Sequence, residues 1–454
     1  MSPPMSLSAT AAAAPHEPAE TRKLLLLIWG VTVATYLLTG RGADQGLSTD
    51  DAMRLVQVRD LLAGQGWFDV TQYRLNPPDG VALHWSRLID LPIAILLRAA
   101  ELALPSATAE RLVLTVWPAG LLLALLFGVA RIARELADDS AARLALIFAA
   151  VTAPLLQHFR PGAIDHHSVQ LVLMIWSVAL LIRERASVAV QKFAIPSGQN
   201  GSELLNQSHT SKPSSASVPL NPKFATECAA ESSELRIRDT SDAALAGAFC
   251  ALSLAIGQEM APAIAGVAGF VAVRWIARGE LSRDTAAAFG MAFAAGTLAL
   301  FVATVPPARY TAATCDAFSI VQVVTAVTGG FGLAILTVWR ALSTVRKRVA
   351  GAAGLGELLG ALVAIGFPAC LGNPYADLDP RLAALWLSNV NEARSIAGMM
   401  RDVPQEVLPY YGLPVIALAL GLYRCRHEAG ARQWGWIGAT AVMAIMTLVA
   451  IWQV

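Results

Sequence analysis

The sequence predicts an all-α polytopic membrane protein with about eleven transmembrane helices. Three observations carry this. The 454 residues are 55% hydrophobic and only 15% charged, with a mean hydropathy of +0.53, far from the composition of a soluble domain. Apolar stretches of near-bilayer length recur along the whole chain. One topology puts every short loop rich in Lys or Arg on the same side.

The elements follow in order. Residues 1–22 are Ala/Pro-rich and read as a disordered cytoplasmic tail. The first apolar run follows Arg22-Lys23 and has no small-residue cleavage site, so it reads as a retained span. Spans are expected at about 23–40, 111–130, 141–158, 168–182, 242–258, 260–277, 285–305, 320–340, 351–371, 407–423 and 433–453. The segment 88–104, "LIDLPIAILLRAAELAL", carries Asp90, Pro92, Arg98 and Glu101 and is expected to lie along the membrane interface. Counting it as a span would invert the positive-inside bias of everything after it. With it outside, Arg131, Arg134, Arg274, Arg278, Arg346, Lys347, Arg424 and Arg426 all fall on the cytoplasmic side. The long first outer loop is then 41–110, with interfacial helices, and another outer loop covers 372–406. The polar, Ser/Asn/Pro-rich stretch 186–241 reads as a disordered cytoplasmic insert.

The net charge of +1 gives no reason to expect a nucleic-acid partner. Five cysteines are scattered without CxxC spacing, so neither a zinc site nor a disulfide framework is expected.

Ionisable residues beside membrane spans are the candidates for chemistry. Asp50-Asp51 opens the first outer loop, and "RPGAIDHHSVQ", with Asp165, His166 and His167, sits at the mouth of a later span. The topology puts both on one face. Asp51, Asp165 and His167 read as ligands of a divalent cation, with Mn2+ or Mg2+ the expected kind. The same residues also read as a helix cap and headgroup-boundary histidines. "NPPDGVALHWSRLIDLP" is turn chemistry followed by His84-Trp85, read either as an interface anchor or as part of a substrate site. Glu392 shares the 372–406 loop with Arg394 and Arg401, read as a solvated helix or as an acceptor-side carboxylate with phosphate-binding arginines. Gln258-Glu259 fits a tight turn or a contact with the same cavity.

This order of motifs resembles the catalytic subunit of oligosaccharyltransferases, in the GT-C superfamily of membrane glycosyltransferases. That family has an aspartate in the first outer loop, as in "STDDAMRLVQVRDLLAGQGWFD", where Asp51 is the better match. It has an Asp-x-Asp, Asp-x-Glu or Asp-x-His motif at the end of a later span, matched by Asp165 and His167. Its Ser/Thr-x-x-Glu motif is similar to "SNVNEA", with Ser388 one residue further from Glu392 than the pattern has it. The resemblance implies a GT-C-like fold over about 23–423 and transfer of a sugar or glycan from a polyprenyl-phosphate or diphosphate donor, on the outer face of a membrane, expected to be a bacterial inner membrane. It implies catalytic roles for Asp51 and Glu392, a metal on Asp51, Asp165 and His167, and substrate contacts from His84, Trp85, Arg394 and Arg401. The family's Trp-Trp-Asp-Tyr-Gly motif and soluble domain are expected to be missing, since the sequence ends at Val454 after its last span. The acceptor is therefore left unspecified. Transfer to protein, as in an oligosaccharyltransferase proper, is one alternative. A transporter or lipid flippase is another, for which internal repeats and mid-span polar residues are expected.

Overall fold

A computed structural model describes residues 19–39, 47–182, 222–372, 380–381 and 395–452. The described chain is almost entirely helical, and its one sheet is the two-stranded pair Thr71–Gln72 and Val81–Ala82. In chain order the helices are α1 (Ala19–Leu38), α2 (Thr49–Leu62), α3 (Arg87–Glu101), α4 (Ser106–Leu136), α5 (Asp139–Val151), α6 (Ala153–Leu156), α7 (His167–Leu181) and α8 (Pro222–Ile256). There follow α9 (Ala261–Arg278), α10 (Arg283–Thr304), α11 (Ile320–Val338), α12 (Val345–Gly366), α13 (Ile396–Asp402), α14 (Pro404–His427) and α15 (Gly430–Trp452).

Every expected span coincides with a helix. Among the described residues, seven stretches are long and apolar enough to cross a bilayer, and one of these, Ala261–Thr304, covers both α9 and α10. Of the helices at the remaining expected spans, α15 has 23 residues, while two are short: α7 has 15 residues and α5 has 13, about 20 Å each at ~1.5 Å per residue, against a hydrocarbon core of about 30 Å. The span expected over 141–158 is broken at Thr152, two residues before Pro154, which has no N–H to continue the hydrogen-bond ladder of α5. The insert expected over 186–241 lies outside the described residues up to 221, and from Pro222 onward it is helical, continuous with α8.

Helix starts are set by the residues that accept orphan N–H groups. Ser48 caps α2 by accepting from Asp51 N at 3.1 Å. Ser86 caps α3, Asp138 caps α5, and Ser319 with Gln322 forms a capping box at α11. Close helix crossings use glycine. A Cβ on Gly290 would lie 2.4 Å from Gly330 O, so only glycine lets α10 and α11 approach this closely.

α3 behaves as its composition suggests. Ile89, Ile93, Ala94 and Leu97 are buried against Leu55 and Val58 of α2 and Val113 and Leu114 of α4, while Leu91 and Ile95 are exposed on the opposite face. Ile164 and Leu173 join the same cluster. This apolar layer seats α2 against the start of α7 and so fixes the site geometry. In the turn between the two strands, Asn76 (φ 51°) and Gly80 (φ 75°) take left-handed conformations. The hairpin they close delivers His84 and Trp85 to the head of α3.

The cysteine expectation is corrected. Cys315, in the 305–319 connection, and Cys370, just past α12, form a disulfide across 55 residues. The two positions meet only in the folded chain, which local spacing cannot reveal.

Candidate active site

The segment leading into α7 folds back under α2. Gly162 N donates to Leu114 O at 2.7 Å, which turns the chain at the top of α4. The next residues reach Asp51. Its Oδ1 accepts from the backbone N–H of Ile164 at 2.8 Å and of Asp165 at 3.0 Å. Its Oδ2 accepts from Ser48 Oγ at 2.7 Å, with Arg160 3.8 Å away. Asp51 is buried, so these bonds replace the water it loses.

Asp165 then carries the side-chain cluster. Its Oδ1 lies 2.6 Å from His166 Nδ1 and 3.4 Å from Arg54, and its Oδ2 lies 3.5 Å from His167 Nε2. His166 is buried, and its Nε2 reaches Glu259 Oε1 at 3.1 Å. Gln170 donates to Glu259 Oε2 at 3.2 Å and to Gly257 O at 3.1 Å. Beside this cluster, the His158 ring meets that of His167 edge-on, with centroids 5.5 Å apart. Arg54 and Asp90 are fully buried and paired at 3.1 Å, and Arg54 lies 4.6 Å over the Trp85 ring.

Burial alone would raise the Asp165 carboxyl, but the hydrogen bond and charge of His166, with Arg54 and His167, hold it well below the usual carboxylate range. Burial would lower His166, but the hydrogen bonds and charges of Asp165 and Glu259 outweigh it and lift the imidazole to about 9. Glu259 is the counterpart: desolvation raises it, and its bond to His166 brings it down to about 2.

Trp85 connects this cluster to a cavity of about 410 Å³. Its walls include Phe68, Asp69, His84, Trp85, Arg309 and Asp316. The far wall, Thr314 to Ser319, is tied down twice, by the Cys315–Cys370 disulfide and by Ser319 and Gln322 bonding to Thr314 O.

The sequence candidates are therefore distributed unevenly. Asp51, Asp165 and His167 are brought together across 114 residues. His84 and Trp85 stand beside them on the cavity wall. Arg401 is exposed in the last turn of α13, with no ion pair among the described residues. Glu392 and Arg394 lie outside the described residues. Arg54 was not singled out, His166 was read as a headgroup-boundary residue, Asp90 only as a charge marking 88–104, and Glu259 either as a turn residue or as a contact with the same cavity.

No protein-family model matches the chain, and no curated protein is similar to it in sequence. Solved structures are similar in fold. The archaeal oligosaccharyltransferase AglB from Archaeoglobus fulgidus, in complex with an inhibitory peptide and a dolichol-phosphate, superposes with a TM-score of 0.63 at 14% identity over 96% of this chain. The Archaeoglobus fulgidus oligosaccharyltransferase tethered to an acceptor peptide gives a TM-score of 0.57 at 14% identity over 95% of the chain. The fold is that of these oligosaccharyltransferase structures. The chain spans about half the length of the chains it matches, 48% and 49% respectively. The same archaeal enzyme in complex with Zn and sulfate gives a TM-score of 0.50 at 14% identity, over 94% of this chain and 48% of that one.

The donor set suits a metal ion. One ligand atom each from Asp165, His166 and His167 lies within 4.8 Å of the others, and ligands at about 2.0–2.6 Å from a shared ion fall in that range. Two imidazoles and one carboxylate are softer donors than the all-oxygen set that Mg2+ prefers, which leaves Mn2+ or Zn2+ as the better fit. Asp51 is outside this group of three. Its position expresses itself through the backbone of Asp165.

Proposed function

We propose that this chain transfers a sugar or glycan from a polyprenyl-phosphate or polyprenyl-diphosphate donor to an acceptor at the outer face of a membrane. One observation carries the reading: Asp51 and the Asp165–His167 segment converge beside a cavity in a fold of the oligosaccharyltransferase type. The dolichol-phosphate held by the archaeal enzyme supports a lipid-linked donor. The disulfide supports the outer face, because Cys315 sits among residues that line the cavity and disulfides persist in oxidising compartments.

In this reading Asp165, His166 and His167 hold a divalent cation, which when bound neutralises charge developing on the phosphate leaving group. The protein does the rest by placement. Asp51 holds the loop that carries Asp165. Trp85 and His84 offer ring faces to a sugar at the cavity wall, and exposed Arg309 offers a cation to its phosphate. Glu259, partly exposed and bound to His166, is the carboxylate positioned to orient an acceptor hydroxyl or amide. Glu392, Arg394 and Arg401 remain part of the proposal on the strength of the motif resemblance alone.

The test is direct. Purified protein is incubated with a polyprenyl-linked radiolabelled sugar and Mn2+, and release to water or to an added acceptor is followed. Release that is lost in Asp165→Asn supports the reading. No release by the wild type across monophosphate and diphosphate donors, or undiminished release by Asp165→Asn, overturns it.

A further inference from the structure

Helix α2 presents Asp51 and Arg54 one turn apart, on the face turned to Asp165. Asp51 takes the backbone N–H of Asp165, and Arg54 takes its side chain at Oδ1. We infer that Arg54 is a positioning residue: it fixes the Asp165 carboxylate so that Oδ2 is presented toward His167, completing a clamp whose other jaw is Asp51. The inference rests on the metal-centre part of the proposed function.

Three features of Arg54 argue for this role. First, it is the only described side chain that contacts Asp165, Asp90 and the Trp85 ring together. Second, its own freedom is removed. It has no exposed surface, its Nη1 donates to Asp90 and to Ser86 O, and its guanidinium plane is covered by Trp85. Third, it completes a buried chain of alternating charge, Asp165–Arg54–Asp90–Arg87, that ends where Arg87 donates to Asp69 O and Gln65 Oε1.

Such a chain is a poor way to stabilise a fold. Desolvating four charges costs about as much as the pairs return, and apolar residues of the same volume often do as well. Arg54 even leaves its Nε without an acceptor. What apolar residues cannot do is hold a carboxylate in one orientation. A planar fork can hold Asp90 and Asp165 together while lying flat on an indole, and a lysine ammonium cannot. Residues that orient metal ligands in this way typically contribute 10–100-fold to metal affinity or activity.

The test uses the full chain in detergent. Mn2+ and Zn2+ binding is measured by calorimetry on the metal-free protein, beside a thermal melt of each variant. R54K and R54M are each expected to bind metal at least about tenfold more weakly while remaining folded. A merely structural residue would lower the melting temperature and leave the affinity of the folded protein unchanged. In a D165N background, R54K is expected to weaken the residual binding no further, because Arg54 acts through Asp165. Should either single variant fail to fold, the other and the D165N pair still decide. Wild-type affinity in R54K or R54M, an additive loss in the D165N background, or a wild type that binds neither metal overturns the inference. A wild type that binds metal but transfers no sugar overturns the proposed function and leaves Arg54 in its role.

Discussion

Asp51 Oδ1 accepts the backbone N–H of Asp165 at 3.0 Å and that of Ile164 at 2.8 Å. A carboxylate from the head of α2 thus holds the loop at the head of α7, through bonds of the charge-assisted kind. The two residues were expected to share an ion. We propose instead that one of them supports the other.

That relationship predicts a graded response at position 51. Asp51→Asn keeps one carbonyl oxygen for the two N–H groups, and the protein should fold with a stability loss of about 1–3 kcal/mol. Asp51→Ala leaves two N–H groups without an acceptor and should cost clearly more. Metal affinity should fall less in Asp51→Asn than in Asp165→Asn. Thermal melts and calorimetric Mn2+ titration of the three variants check this. Equal loss of metal binding in both Asn variants would show Asp51 to be a ligand and not a support.

Gly257 predicts a second effect, on His166. A Cβ there would lie 2.4 Å from Glu259 Oε2, 3.0 Å from Gln170 Nε2 and 3.2 Å from His166 Cδ2. Gly257→Ala should therefore displace Glu259 and remove one of the two carboxylates that raise His166. The imidazole should titrate below about 9, moving toward its ordinary value. Histidine NMR of wild type and variant reads this out; an unmoved titration would mean that Glu259 does not contribute.

Much of the fold was legible because runs of apolar residues have only one use at this length. Asp90, Pro92, Arg98 and Glu101 set 88–104 apart from the expected spans, and α3, with 15 residues, is not among the described helices long and apolar enough to cross a membrane. Their individual meanings were not legible. Arg98 and Glu101 pair at the surface, but Asp90 is fully buried between Arg54 and Arg87. Sequence shows that a charge is present, not what surrounds it. The same holds for the site. Asp165-x-His167 is a local pattern and could be read. His166 to Glu259 spans 93 residues and Cys315 to Cys370 spans 55, and such pairs are made by helix packing that no local periodicity encodes.

The disulfide predicts a redox-dependent stability. Closing a loop of that size is worth about 2–5 kcal/mol, and here it also ties down the wall that carries Thr314, Asp316 and Ser319. Cys315→Ser, or wild type treated with reductant, should melt lower by a matching amount. Maleimide labelling of Cys315 and Cys370 should require reduction first. Labelling without reductant in freshly isolated membranes would contradict the bond.

Metal binding should compete with a proton. In the metal-free protein His166 stays protonated up to about pH 9, because Asp165 and Glu259 each hold one of its ring nitrogens. This raised value means that the stability His166 contributes is fully present below its ordinary pKa of about 6.5, and is lost as pH rises through about 9. A metal ligand must give up that proton. Asp165 is held low and stays ionised throughout, so it adds no competition in this range. Apparent affinity for Mn2+ or Zn2+ should therefore rise about tenfold per pH unit from near neutrality, releasing about one proton per ion, and flatten above about 9. Calorimetry in buffers of different ionisation enthalpy counts the proton, and the pH series gives the slope. An affinity that does not change between pH 7 and 8.5, with no proton released, would remove His166 from the donor set and leave Asp165 with His167 as the ligands.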